Sequence, residues 1–226
     1  MRKFLILKLH GPMQVWGEHT FEGHRPSANF PTRSGLLGLL GACLGIGRNE
    51  RDHLQSLADS IGIAVRVDAR CMTGRDGKVK WLRQLKITDY HTVKNARKEY
   101  TGLDSHETIQ TWREYLLDAE FTVALWNIPQ ASIGLDAIIK AIKQPYFTPY
   151  LGRRSCPLAR PLFEAGLHAD NVLEAFKNIE PQGGVIYSEE KADVRMIRVR
   201  DVPLINQPRQ FAARNLYVHG GDYVPE

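Results

Sequence analysis

Apolar and polar positions divide the chain into short elements with two different periods. Residues 4–9 are apolar throughout except for Lys8, the mark of a buried strand, and they open into the loop Gly11-Pro-Met-Gln-Val-Trp16-Gly17. This loop stays polar and proline-punctuated through His24-Arg25-Pro26 and Phe30-Pro31. A helix is predicted from Thr32 or Ser34, either of which can cap free backbone N–H groups, and Leu36, Leu37, Leu40 and Leu44 give it an apolar face. Gly35, Gly38, Gly41 and Gly45 recur along it. Glycine costs helix stability, so their repetition predicts close approach of another backbone or a ligand.

A second helix over about residues 50–61 leads to a strand near 63–67. Alternation of Phe121, Val123 and Leu125 predicts a strand over 119–128, ended by Pro129. A short helix over 135–142, a loop over 146–161 and a helix near 170–178 follow, with further strand candidates at 185–187, 196–199 and 216–218. Residues 1–145 thus run strand, helix pair, strand, insertion, strand, helix. That order makes an α+β chain carrying most of a ferredoxin-like β-α-β-β-α-β unit, with a long insertion between its two middle strands.

The insertion, residues 78–113, differs in kind. Lys78, Lys80, Arg83, Lys86, Lys94, Arg97, Lys98 and Arg113 stand against four acidic residues, an excess of +4 in thirty-six residues where the whole chain carries +5. Trp81, Tyr90, His91, Tyr100, His106 and Trp112 are interleaved with them, and Arg75-Asp76-Gly77 signals a hairpin turn on the approach. Charges along phosphates and rings against bases are what grip single-stranded nucleic acid. The same pattern also suits an exposed, partly helical flap with Trp112 and Tyr115 as core anchors.

Composition narrows the class further. At 226 residues, 43% hydrophobic and 24% charged, the chain is neither disordered, collagen-like nor membrane-spanning. The glycine-rich uncharged run at residues 34–47 is fourteen residues and no uncharged run exceeds fifteen, against about 20 needed to span a bilayer. The N-terminal apolar run begins like a signal peptide but stops at Lys8, with no small-residue cleavage site after it. Cys43, Cys71 and Cys156 form no CxxC, so neither a disulfide framework nor a thiolate zinc site is expected, and a reducing cytoplasm fits.

Three constellations carry candidate chemistry. Phe30-Pro-Thr-Arg33-Ser34-Gly35 leads into a helix N-terminus and reads either as a phosphate cradle or as a capped, closely packed core helix; it lacks the Walker lysine. Tyr150-Leu-Gly152-Arg153-Arg154-Ser155-Cys156-Pro157 offers adjacent arginines for successive phosphates, or else a solvated turn. Tyr90, His91, Lys94 and His106 hold the groups of a metal-independent ribonuclease, although nothing in their spacing brings a pair together, and no HExxH occurs.

Long stretches resemble the CasD-type RAMP family, the subunits that bind the 5′ handle in Cascade, the type I-E CRISPR surveillance complex. They are Gly11-Pro-Met-Gln-Val-Trp-Gly17, Phe30-Pro-Thr-Arg-Ser-Gly-Leu-Leu-Gly-Leu-Leu-Gly-Ala-Cys-Leu-Gly45, Asp89-Tyr-His-Thr-Val93, Ser105-His-Glu-Thr-Ile-Gln-Thr-Trp-Arg-Glu-Tyr115 and Pro149-Tyr-Leu-Gly-Arg-Arg-Ser-Cys156. The resemblance implies a ferredoxin-like (RRM-like) body over 1–77 and 114–150, a thumb over 78–113, and a strand-rich C-terminal extension over 151–226 packed on the body. It further implies a subunit that caps one end of the complex on the repeat-derived 5′ handle of the CRISPR RNA. Its thumb kinks the RNA at the handle–spacer junction and packs against the adjoining backbone subunit. The large subunit docks nearby, and the invading DNA is read by the guide.

The expected RNA contacts are Gln14, Trp16, Arg25, Arg33, Ser34, Tyr90, His91, Arg97, Lys98, Ser105, His106, Thr108, Arg113, Tyr150, Gly152, Arg153 and Arg154. No cofactor, metal, membrane partner or catalytic residue is expected. In type I-C systems, however, the related subunit is itself the endoribonuclease, which makes Tyr90, His91 and Lys94 the alternative catalytic cluster.

Overall fold

The computed structural model describes residues 1–18, 20, 23–94, 108–207 and 209–220. In chain order the elements are β1 (Arg2–His10), β2 (Met13–Gln14), β3 (His24–Arg25), α1 (Arg33–Leu44), α2 (Arg51–Ala58), β4 (Ile61–Val67), β5 (Cys71–Thr73), β6 (Val79–Trp81), β7 (Leu85–Lys94), β8 (Thr108–Leu117), β9 (Glu120–Asn127), α3 (Leu135–Lys143), β10 (Phe163–Ala169), α4 (Val172–Lys177), β11 (Val185–Ser188), β12 (Met196–Pro203) and β13 (Phe211–His219).

A seven-stranded sheet in the order β10-β1-β9-β4-β11-β13-β12 forms the centre, with every neighbouring pair antiparallel. The strand-helix-strand-strand-helix order read from the sequence is present, and β10 follows it as a further strand beside β1. The alternation along β9 is realised. Phe121, Val123 and Leu125 point to the face covered by α1 and α3, while Ala124 and Trp126 point to the face covered by α4. Each of the first three is fully buried, a contribution of roughly 1.5–3 kcal/mol per side chain.

Thr32 caps α1 by accepting from the Gly35 N–H, and Gly45 ends the helix in a left-handed conformation. Close approach explains Gly35, where a Cβ would stand 2.8 Å from the Trp16 ring. It does not explain Gly38, which has nothing within 4 Å; that glycine lies on the exposed side of the helix.

Three further features depart from the sequence reading. The sequence predicts no strand at β10, because Phe-Glu-Ala-Gly-Leu-His-Ala has little β-propensity; the segment pairs with β1 from Arg2 to Leu7 and so satisfies the backbone groups of that edge. The sequence predicts a C-terminal extension packed on the body, whereas β11, β13 and β12 continue the body's own sheet edge to edge from β4. The second helix ends at Ala58 rather than near 61, because Ile61 is already committed to pairing with Asn127.

The face toward α4 holds a buried polar row. Lys8, Thr122 and Arg66 lie side by side on β1, β9 and β4. All converge on Asp68, whose carboxylate accepts from Lys8 Nζ at 2.8 Å, Arg66 Nε at 2.7 Å and Thr122 Oγ1 at 2.7 Å. Arg66 also donates to the carbonyls of Phe176 and Ile179 at the end of α4, which fixes that helix on the sheet.

Candidate nucleic-acid interface

The inserted segment is built on a hairpin. Its strands β7 and β8 pair from Leu85↔Leu117 to Lys94↔Thr108, and the shorter β5–β6 hairpin precedes it, turning at Gly77 with φ +75° as the Arg75-Asp76-Gly77 signal predicts. On its other edge β8 pairs with β2 and, in parallel, with β3. The root of β8 enters the core, where Tyr115 is 5% exposed and Leu116 is 0%. Tyr115 is thus a core anchor, but Trp112 is not, at 37% exposed. The flap is extended rather than helical over its described part.

Strand alternation gives the hairpin two faces. Asp89, His91, Thr111 and Arg113 share one face, and Arg25 is the registered neighbour of Arg113 across the parallel β3–β8 pair. Tyr115 follows Arg113 on this face, and the Arg153 guanidinium lies over its ring, 4.8 Å from the centroid. Arg153 Nη1 is buried with no hydrogen-bond partner. The only bond from the Arg113 side chain is Nε to Thr111 Oγ1 at 3.0 Å, and Asp89 is engaged by His91. Among the described residues, then, Arg25, Arg113 and Arg153 have no carboxylate partner. Three arginines without counter-ions along one strand face form a site for anions.

Arg153 is presented by a tight turn. Leu151 N–H donates to the Cys156 carbonyl and Cys156 N–H to the Arg153 carbonyl, both at 2.8 Å, and Val15 N–H donates to the Leu151 carbonyl at 3.1 Å. Gly152 sits at φ +85°, where a Cβ would fall 1.6 Å from the Val15 carbonyl oxygen, so only glycine fits. Tyr150 is half-buried and bridges to Pro157, and Arg154 is exposed. Cys156 below them is buried, and burial pushes its thiol up, which disfavours the thiolate form.

The opposite face carries Lys86, Thr88, Tyr90, Thr92 and Lys94, with Thr108, Gln110, Trp112 and Glu114 across from them. Here His24 stacks on Trp112 at 5.1 Å and 14°, and Tyr90 leans on it at 5.5 Å and 52°. Tyr90 and Lys94 therefore lie on one side of the strand and His91 on the other, so the alternative catalytic cluster is not assembled on a common face. Arg97, Lys98, Ser105 and His106 lie outside the described residues, and Thr108 is an exposed residue at the start of β8.

Four expected contacts are structural instead. Gln14 is fully buried: its amide donates to the Leu9 and Ala119 carbonyls, and its oxygen accepts from Trp16 Nε1. Trp16 is 1% exposed, packed against Gly35. Ser34 is half-buried beside Thr32, at 3.4 Å between hydroxyls, in the capped start of α1. Arg33 donates to Glu189 at 2.5 Å and to the carbonyls of Ala58 and Ile61 at 2.7 and 3.1 Å. Its own N–H, the donor a phosphate would use, goes to Asp201.

Arg214 completes this cluster by bonding both Glu189 and Asp201. Burial opposes the charge of Arg214, yet its bond to Asp201 and the two nearby carboxylates outweigh burial and raise its pKa. Of the open alternatives at 30–35, the closely packed core helix is the one formed. Sequence reading missed His24 and the partners of Arg33, because each lies tens of residues from the group it meets.

The comparisons with known proteins agree with this architecture. Residues 4–217 match the family model described as CRISPR-associated protein (Cas5). The chain is 55% identical over 223 residues to the CRISPR system Cascade subunit CasD of Escherichia coli (strain K12), covering 98% of this chain and 97% of that protein. A chain of a CRISPR RNA-guided surveillance complex superposes with a TM-score of 0.67 at 29% identity, over 96% of this chain and 89% of the other. A structure described as a crystal structure of Cas protein gives a TM-score of 0.63 at 27% identity, over 96% and 93%. With the match running from the first strand of the sheet into its last, the chain belongs to the CRISPR-associated Cas5 family.

Proposed function

We propose that this chain is a non-catalytic, cytoplasmic subunit of a Cascade-type CRISPR surveillance complex that holds the repeat-derived 5′ handle of the CRISPR RNA. In this reading a ferredoxin-like body spans 1–77 and 114–150, and the thumb is 78–113. The strands of 151–226 lie in the body's own sheet. The thumb presses on the RNA at the handle–spacer junction and meets the adjoining backbone subunit. The large subunit docks nearby, and target DNA is read by the guide. The likeness to a Cascade subunit over nearly the whole chain supports the setting.

The observation that carries RNA binding is the arginine set on the thumb's root. Arg25, Arg113 and Arg153 share one face of β8 without a carboxylate partner among the described residues. Phosphates of a single strand are the counter-ions this face lacks. Separation of Tyr90 and Lys94 from His91 across the strand supports a positioning rather than a catalytic role.

The test is fluorescence anisotropy of handle-bearing CRISPR RNA over a salt series, with the same samples run on a denaturing gel. Intact RNA is expected. Arg113→Gln and Arg153→Gln should each flatten the log–log salt slope by roughly 0.7 for every phosphate that is no longer neutralised. Arg33→Gln should lower stability and leave that slope unchanged. An unaltered slope in both thumb-root variants overturns the assignment, and a discrete product that disappears on changing His91 or Tyr90 makes the chain the processing enzyme.

A further inference from the structure

The thumb face opposite the arginines bears an exposed ring cluster. Trp112 lies between His24 and Tyr90: the imidazole stacks on it nearly parallel, and the phenol leans at 52°. Gly23 lets the indole lie against the backbone, since a Cβ there would stand 3.2 Å from Trp112 Cζ3. The cluster is held open rather than buried. Tyr90 is 51% exposed, Trp112 is 37% exposed, and His24 is exposed as well. Among the described residues the Trp112 Nε1, the Tyr90 hydroxyl and the His24 ring nitrogens make no hydrogen bond. Water keeps those polar edges, but the ring faces gain nothing from it.

Around the rings the face is polar and free of unpaired acid. Thr92, Gln110, Lys94 and Thr108 continue it toward the tip. Glu114, the one acidic residue on the described part of this face, is engaged by the Ser27 N–H at 3.0 Å and lies 3.5 Å from Lys86 Nζ. Flat, exposed, preoriented rings beside donors and a cation favour a π-faced, anionic ligand over an apolar protein knob.

We infer that His24, Trp112 and Tyr90 form a stacking platform for an unpaired nucleobase. The strand would be gripped by phosphate on one side of the thumb root and by base on the other. This inference rests on the reading of the chain as an RNA-binding subunit, and it adds a base-contacting site to a phosphate-contacting one.

The experiment compares single-stranded RNA oligomers of about ten nucleotides, within the span such proteins cover. They are oligo(A), oligo(U) and an oligo(A) with abasic sites, each labelled for anisotropy with the full-length protein. Wild-type protein should prefer oligo(A), because purines stack more strongly, and should bind the abasic oligomer more weakly. Trp112→Ala, and separately Tyr90→Ala with His24→Ala, should weaken oligo(A) by roughly tenfold to a hundredfold. They should abolish the preference for intact bases and leave the salt slope unchanged. Trp112→Phe keeps a ring and should retain most of the preference, which separates stacking from a folding defect. If wild-type protein fails to bind any of the oligomers, the RNA-binding reading and the platform fall together. Binding that is salt-sensitive in wild type yet unchanged in affinity and base preference by the ring variants overturns the platform alone and makes this face a protein contact.

Discussion

Replacing Asp68 by asparagine removes one charge from the most enclosed polar site in the sheet and changes almost no volume. In the native protein that carboxylate serves two cations and a hydroxyl, with Lys8, Arg66 and Asp68 side chains 4%, 3% and 0% exposed. The variant leaves two buried cations facing an amide, which can accept at its oxygen but carries no charge. Removing one partner of a buried pair costs about 3–5 kcal/mol. Arg66 retains its bonds to the carbonyls of Phe176 and Ile179, so the larger share of the penalty falls on Lys8. For a protein of this size the melting temperature should drop by about 6–20 °C. The assay is thermal melting followed by far-ultraviolet circular dichroism, paired with urea unfolding to check that the slope is unchanged. Adding Lys8→Met to Asp68→Asn removes the stranded ammonium and should recover part of the loss. A single variant within about 1 kcal/mol of wild type, or a double variant less stable than the single one, would refute the charge argument.

Other outcomes follow from separate parts of the molecule. Gly152→Ala forces a Cβ into the Val15 carbonyl at a left-handed φ; it should destabilise by at least about 1–3 kcal/mol and, on the proposed RNA-binding reading, weaken that binding by displacing Arg153, read by melting and anisotropy together. Burial holds the Cys43 thiol at about 11, so with Cys156 also buried, a disulfide-exchange reagent near pH 8 should label Cys71 promptly and the other two only on unfolding. Asp118 is held below its ordinary value of 3.8, chiefly by the His10 bond and then by Arg70. Its contribution is present above that value and lost as pH falls through the lowered one. Asp118→Asn should therefore flatten the acid limb of stability by less than about 1 kcal/mol, since the carboxylate is half exposed.

What could be read from the sequence was whatever is local. The β9 alternation, the Thr32 cap and the Arg75-Asp76-Gly77 turn need only neighbouring residues to declare themselves, and each is present. Arg33 illustrates the limit. Its position before a glycine-studded helix suits a phosphate, but Glu189 and Asp201, more than one hundred and fifty residues on, occupy its donors first. Gln14 likewise looks like a loop contact until the Ala119 carbonyl, one hundred and five residues away, takes its amide. Arg153 was legible as a cation, and its place beside Arg113 was not, because the turn is docked by Val15 and Tyr115 from elsewhere in the chain.

The order of strands in the sheet also governs how the molecule can be assembled during synthesis. Three neighbouring strands, β1, β9 and β4, are complete by residue 127, yet the partners on either side of them, β10 and β11, arrive only after residue 160. Until then the nascent body has two bare hydrogen-bonding edges, each a template for another chain. A ribosome-bound or truncated chain ending before β10 would therefore be prone to associate through both sides. The arginine-bearing root of the β7–β8 hairpin would then depend, for its final setting, on segments made last.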